Sequence, residues 1–189
     1  MVTADDLIRD ALESSASHAA ILETSAIQFH EEVRKACEKN VCRKYDTNWM
    51  GPPAIGPISV LKMRVLRYRQ GLLFQTVHHV ASSFDLKGML EAAKAHAIVF
   101  RDLLRKIREK YQIADLLPLD CGCCSNCDRC AYLDHEPCRH ADQAVSSVEA
   151  YGMNVIALQK SAGIPYYHGK NTVCYVGMIL LNPDEKIKD

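Results

Sequence analysis

The chain has no excess charge of either sign, with Lys+Arg and Asp+Glu at 23 each in 189 residues. No chain-wide field is therefore expected to gather nucleic acid or an anionic membrane. No apolar run approaches the length of a membrane span. The opening stretch MVTADDLIRD is acidic and has no apolar h-region of a secretory leader. The expected location is the cytoplasm, where thiols stay reduced. A phosphate-binding glycine loop, a G-x-S-x-G elbow and an H-E-x-x-H helix are all missing, as are internal repeats and low-complexity tails. The common nucleotide, serine-hydrolase and zincin chemistries have no foothold, and whether the chain is an enzyme stays open.

What is present in quantity is cysteine. There are nine, and six of them fall in LPLDCGCCSNCDRCAYLDHEPCRH, residues 117–140. An odd number cannot pair completely. Cys121, Cys124, Cys127 and Cys130 follow one another at three-residue steps, and disulfides closing such small loops would be strained and constrain little chain entropy. The expectation is a metal site.

The remaining sequence reads as one α+β domain over 1–189, with about four strands in a single sheet covered by helices. Residues 1–28 form an N-terminal helix and strand, with Thr3-x-x-Asp6 capping the helix and HAAILET as the strand. A helix is expected over 28–39, with Phe29, Val33 and Ala36 on one face and Cys37 near its end. NWMGPPAIGPIS reads as loop. Pro57 then opens a helix with Ile58, Leu61, Val65 and Tyr68 on its apolar stripe and Gly71 as its stop. LLFQTVHHV is a strand. A long helix over 86–111 is given a buried seam of Leu86, Leu90, Ala93, Ala97, Phe100, Leu104, Ile107 and Tyr111. IADLLPLD is a strand delivering the cysteine-rich loop, 121–140. Ser146-x-x-Glu149 is a capping box for a helix interrupted at Gly152, and a short helix follows over 153–162. NTVCYVGMILL is a buried strand with Cys174 in the core.

A Cys-x-x-Cys step aims two thiolates at one point, and ligands of a tetrahedral zinc lie about 3.8 Å apart. Zinc ribbons separate two such pairs by a dozen or more residues so that each forms its own turn. Here only Ser125 and Asn126 separate Cys124 from Cys127. A cubane is wider and can be held by one winding loop, as in the C-x2-C-x2-C run of ferredoxins, which Cys121, Cys124 and Cys127 match. Cys130 comes one residue early for that pattern, and Cys138 lies further on. A [4Fe–4S] cluster is thus expected ahead of zinc. Asp120, Asp128 and Asp134 rank as minor ligands beside so much sulfur. Cys123 would point away from its neighbours, and His135 and His140 are taken as supporting or surface residues. Cys37-x4-Cys42 offers two further candidate ligands.

The segments C-E-K-N-V-C-R-K-Y, from Cys37 through Cys42 to Tyr45, and W-M-G-P-P-A-I-G, from Trp49 through Gly51, Pro52 and Pro53 to Gly56, resemble the DUF2284 family of predicted metal-binding proteins. So do Cys124, Cys127, Cys130, Cys138 and Arg139, followed by Ser147, Glu149 and Gly152. The resemblance runs from about residue 30 to 181. It implies Cys124, Cys127, Cys130 and Cys138 as one ligand set, leaving Cys121 for a second site. Where the family pattern has a third N-terminal cysteine this chain has Gly51, so Cys37 and Cys42 are either vestigial, or borrow Cys121 or Cys123, or leave an open coordination position. Three functions follow as expectations: an iron–sulfur protein serving a redox partner, a zinc-stabilised interaction module, or a metalloenzyme with a pocket near His78, His79, Pro52, Pro53 or the Tyr166-Tyr167-His168 cluster. For those pocket candidates, ordinary structural roles are preferred.

Overall fold

A computed structural model describes residues 2–183. Thr3 and Asp6 form the expected capping box at the start of α1 (Ala4–Glu13), each side chain accepting from the other's backbone N–H. The chain continues through β1 (His18–Glu23), α2 (Glu31–Glu38), α3 (Ile58–Val65), β2 (Gln70–His79) and α4 (Leu86–Tyr111). β3 (Leu116–Asp120), β4 (Ser146–Ser147), α5 (Val155–Ser161) and β5 (Thr172–Leu181) follow, with 3-10 turns at Thr24–Ala26, Ala131–Asp134 and Glu149–Tyr151. The strands form one mixed sheet in the order β1-β2-β5-β3-β4, in which β3 and β4 are parallel and the other pairs antiparallel. The fold is α+β.

Side chains alternate across this sheet, so each long strand feeds two cores. Leu72 and Phe74 of β2, Ile179 and Leu181 of β5 and Leu116 of β3 face α1 and α4, where Leu7, Phe100, Leu103 and Ile107 meet them. Leu73, Met178, Leu180 and Leu119 face the other way, onto Leu61 and Val65 of α3, Leu158 of α5, and Tyr151 and Met153 just before it. β2 and β5 are buried on both faces along most of their length, which explains the nearly unbroken apolar composition of β5 and the Leu72-Leu73-Phe74 run of β2, where Gln75 and Thr76 are the buried polar exceptions. Gly177 sits where β5 runs under α4. A Cβ there would stand 2.7 Å from Phe74 and 3.0 Å from Phe100, so the missing side chain is what lets both rings pack on the sheet.

Asp10 ties α1 to α4. Its side chain is fully buried and receives Lys110 at 2.7 Å, Lys106 at 3.2 Å and the Tyr111 hydroxyl. Burial alone would raise its pKa, but these three partners outweigh that and hold the carboxyl below its ordinary value.

Several expectations need correction. The seam of α4 is right in its second half but rotated in its first. Leu86 and Leu90 are exposed, and the buried face begins with Ala92 and His96. α2 starts at Glu31, and its buried residue is Arg34, with Val33 half-buried and Ala36 exposed. The α3 stripe holds, since Ile58, Leu61, Val65 and Tyr68 are all buried, but α3 ends at Val65 and Gly71 lies inside β2 against Met178. Ser146 is not a helix cap. It pairs in the two-residue strand β4, and Ser147 instead accepts from the Ala150 N–H at 3.0 Å. β4 makes the sheet five-stranded. Cys174 is half-buried near the start of β5, with its thiol directed to the Tyr166 carbonyl at 3.6 Å.

Candidate metal centre

The cysteine-rich segment is pinned at its base. The chain leaves the sheet at Asp120 and returns at Ser146, where β4 pairs with the end of β3 in the register Leu119–Ser146 and Asp120–Ser147. The Asp120 carbonyl also accepts from the Val148 N–H at 3.0 Å. A left-handed Gly122, with open space where a Cβ would stand, turns the chain immediately after Cys121. Residues 121–145 are therefore an excursion between two adjacent strand ends, anchored within it by the buried Ala131 of the 3-10 turn. Cys121, Cys123, Cys124, Cys127, Cys130 and Cys138 are all half-buried, and all nine cysteines of the chain are free thiols.

The loop between α2 and α3 closes over this excursion. Trp49 donates from Nε1 to the Glu136 carbonyl at 2.9 Å, and its ring meets Tyr132 edge-on at 4.9 Å. The Tyr132 hydroxyl donates to Asp46, and the Ser146 hydroxyl lies 3.7 Å from the Met50 sulfur. At the base, the Arg34 guanidinium donates to the carbonyls of Ala150, at 2.9 Å, and of Gly56. Cys42 and Lys44 are thereby brought within electrostatic reach of Cys123, and Cys37 within reach of Glu149 and Cys42. The two cysteine-bearing segments, far apart in sequence, form one surface. Gly51 supplies no donor, and a Cβ at that position would meet the buried Asn48 amide at 3.0 Å.

Among the described residues, one trio brings its ligand atoms within 4.8 Å of one another: His96, Asp120 and Cys121. No three loop thiols approach that closely. Cys121 was an expected ligand, Asp120 was ranked as minor, and His96 carried no recognisable signal. A lone histidine among alanines on a helix has no spacing partner. Its role emerges only when α4 is laid across the sheet, where Thr76 of β2, Tyr175 of β5 and Asp120 of β3 face it.

Sulfur chemistry fits the loop. The buried side-chain amide nitrogen of Asn126, between Cys124 and Cys127, has no hydrogen-bond partner. An orphaned donor among thiols is what a thiolate or sulfide acceptor would satisfy. Burial raises the Cys123 and Cys37 thiols, Lys44 opposing it at Cys123 and Arg34 at Cys37. Cys121 is raised by burial and then by Asp120 and Glu149. Binding a metal at these thiols must therefore displace protons. Glu149 itself is raised, by burial.

The other candidates lie apart. His135 is exposed, His140 half-buried, and Asp134 is engaged by Arg129 at 2.7 Å. His78 is half-buried with Nε2 at 2.9 Å from the Thr76 hydroxyl, and His79 is exposed. His168 stacks on His18 at 5.2 Å and contacts Gln75 at 2.9 Å, while Tyr166 and Tyr167 are exposed. No described helix is long and apolar enough to cross a membrane.

Neither a curated protein nor a solved structure matches the sequence. The family model described as "Predicted metal-binding protein (DUF2284)" matches residues 20–181, a span that includes all of the sheet but the first two residues of β1, the clamp at Trp49 and every cysteine. With the motifs at Cys37–Gly56 and Cys124–Gly152 assembled into one thiol-rich surface, the chain belongs to the DUF2284 family of predicted metal-binding proteins.

Proposed function

We propose that Cys124, Cys127, Cys130 and Cys138 hold a [4Fe–4S] cluster and that the protein carries electrons for, or otherwise assists, a redox partner protein in the cytoplasm. The observation that carries this reading is one irregular loop that contains four free, half-buried thiols and a buried, unpartnered amide donor, Asn126. A single tetrahedral ion would need its thiolates about 3.8 Å apart, whereas a cluster takes them further apart. Such a cluster would supply one-electron chemistry at a potential set by hydrogen bonds to sulfur and by exposure. Asn126, between Cys124 and Cys127 in the chain, carries a buried amide donor free for such a bond, and Trp49 and Tyr132 cover one side of the loop. Asp128, Arg129, Leu133 and Glu136 are exposed and form the face a partner would meet.

The test is purification without oxygen, with iron, acid-labile sulfide and zinc measured per chain alongside a visible spectrum. About four iron and four sulfide, with a broad absorption that bleaches on reduction, is the expected result. Stoichiometric zinc without iron would overturn the redox reading and leave a metal-clipped interaction module.

A further inference from the structure

His96 is an unusual core residue. Its side chain is completely buried, held between the ring of Phe74 at 5.5 Å and that of Tyr175 at 6.0 Å. Nδ1 lies 2.8 Å from the Thr76 hydroxyl, which in turn lies 2.9 Å from His78 Nε2. Two proton arrangements satisfy this chain, and the one in which His96 donates from Nδ1 to Thr76 and Thr76 donates to His78 is the one a metal at Nε2 would select. Nε2 of His96 then presents a lone pair. It faces Asp120 Oδ1 at 3.2 Å without hydrogen-bond geometry and has no other partner. That carboxylate oxygen already accepts the Cys121 N–H at 2.8 Å. A buried ring nitrogen, a carboxylate and a thiol thus converge with every ligand atom within 4.8 Å.

We propose that His96, Asp120 and Cys121 form a second, mononuclear metal site, taking a divalent ion of borderline softness such as zinc. The mixed nitrogen, oxygen and sulfur set suits zinc and disfavours magnesium or calcium, which prefer all-oxygen shells. Thr76 plays the supporting part usual for a metal-binding histidine, fixing the tautomer through the other ring nitrogen. Three protein ligands leave a fourth position, the arrangement of zinc sites that bind water or substrate. The Glu149 carboxylate is within electrostatic reach of Asp120 and Cys121. The site does not depend on what the cysteine-rich loop holds.

The test uses the full chain, reduced and stripped by chelator, titrated with cobalt(II) and then challenged with zinc. A chain with Cys124→Ser, Cys127→Ser, Cys130→Ser and Cys138→Ser should still bind one cobalt, with thiolate-to-metal absorption. Adding Cys121→Ser should abolish that absorption, and adding Asp120→Asn should weaken binding. If the four-serine chain, folded by circular dichroism, binds no cobalt, or binds it unchanged after Cys121→Ser, the proposal fails. Should that chain not fold, the same comparison is made with the loop cysteines intact. There Cys121→Ser must lower bound metal by one equivalent, and Thr76→Val must weaken one site by about 10–100-fold. Unchanged stoichiometry and affinity in both variants would overturn it. Loss of iron from the loop with the cobalt site kept would instead count against the cluster alone.

Discussion

Trp49 is the point at which the two cysteine segments are fastened together, and Trp49→Ala should loosen that fastening without unfolding the sheet. The substitution removes the 2.9 Å hydrogen bond to the Glu136 carbonyl and the edge-on contact with Tyr132. A net hydrogen bond contributes about 1 kcal/mol, and an aromatic pair about 1 kcal/mol beyond its buried area. A total of about 2 kcal/mol shifts the docked-to-open equilibrium by about thirtyfold. Trp49 is half-buried, and its contacts run to the loop rather than to either core, so global stability should change far less. The assay is alkylation of the metal-stripped, reduced protein, with modification of each thiol followed by mass spectrometry. Cys123, half-buried beside Lys44 and Cys42, should react tens of times faster in the variant, whereas Cys174, on the far part of the sheet, should keep its rate. Trp49→Phe should fall between the two. Equal Cys123 rates in wild type and Trp49→Ala, with the fold intact, would refute the clamp.

Three further outcomes are expected. Gly177→Ala forces a methyl group to within 2.7 Å of Phe74 and 3.0 Å of Phe100, and should cost about 1–3 kcal/mol in urea unfolding. Phe100→Ala empties the centre of the α4 face and should cost about 3–5 kcal/mol in the same measurement. Because the folded-state pKa of Asp10 is depressed, its contribution is present above the ordinary carboxylate value of 3.8 and is lost as pH falls through the lower folded value. Unfolding midpoints followed downward from pH 5 should therefore fall less steeply for Asp10→Asn than for wild type, and parallel curves would contradict the assignment.

The comparison of sequence with structure divides along the range of the interactions involved. Caps, long helices and the strands β1, β2, β3 and β5 were legible because their signals are local: Thr3 with Asp6, the α3 stripe, and the apolar runs of β2 and β5. β4 was missed because two residues carry no periodicity, and it exists only because the end of β3 lies beside it. The first half of α4 misled because its leucines, Leu86 and Leu90, face solvent while a histidine faces the sheet. Cysteine spacing marked the loop, but spacing along a chain says nothing of a ligand arriving from a helix some 25 positions earlier. Gly71 read as a helix stop because the strand after it begins with equally apolar residues. Its neighbour Met178 across the sheet decides the matter instead.

The strand order has a consequence for biosynthesis. β5 follows every other described strand in the chain, yet it occupies the centre of the sheet, hydrogen-bonded to β2 on one side and β3 on the other. During translation β1 and β2 can form a hairpin-like pair early, but β3, which can meet α4 and β4, lacks its antiparallel neighbour until β5 leaves the ribosome. The thiol-rich excursion that hangs from β3 is thus made before the sheet beneath it is complete. For the seconds that interval lasts at ordinary elongation rates, the six cysteines lie on a loop whose supporting strand is paired on one side only. Arrival of β5 is therefore the step that completes the sheet beneath the cysteine-rich loop.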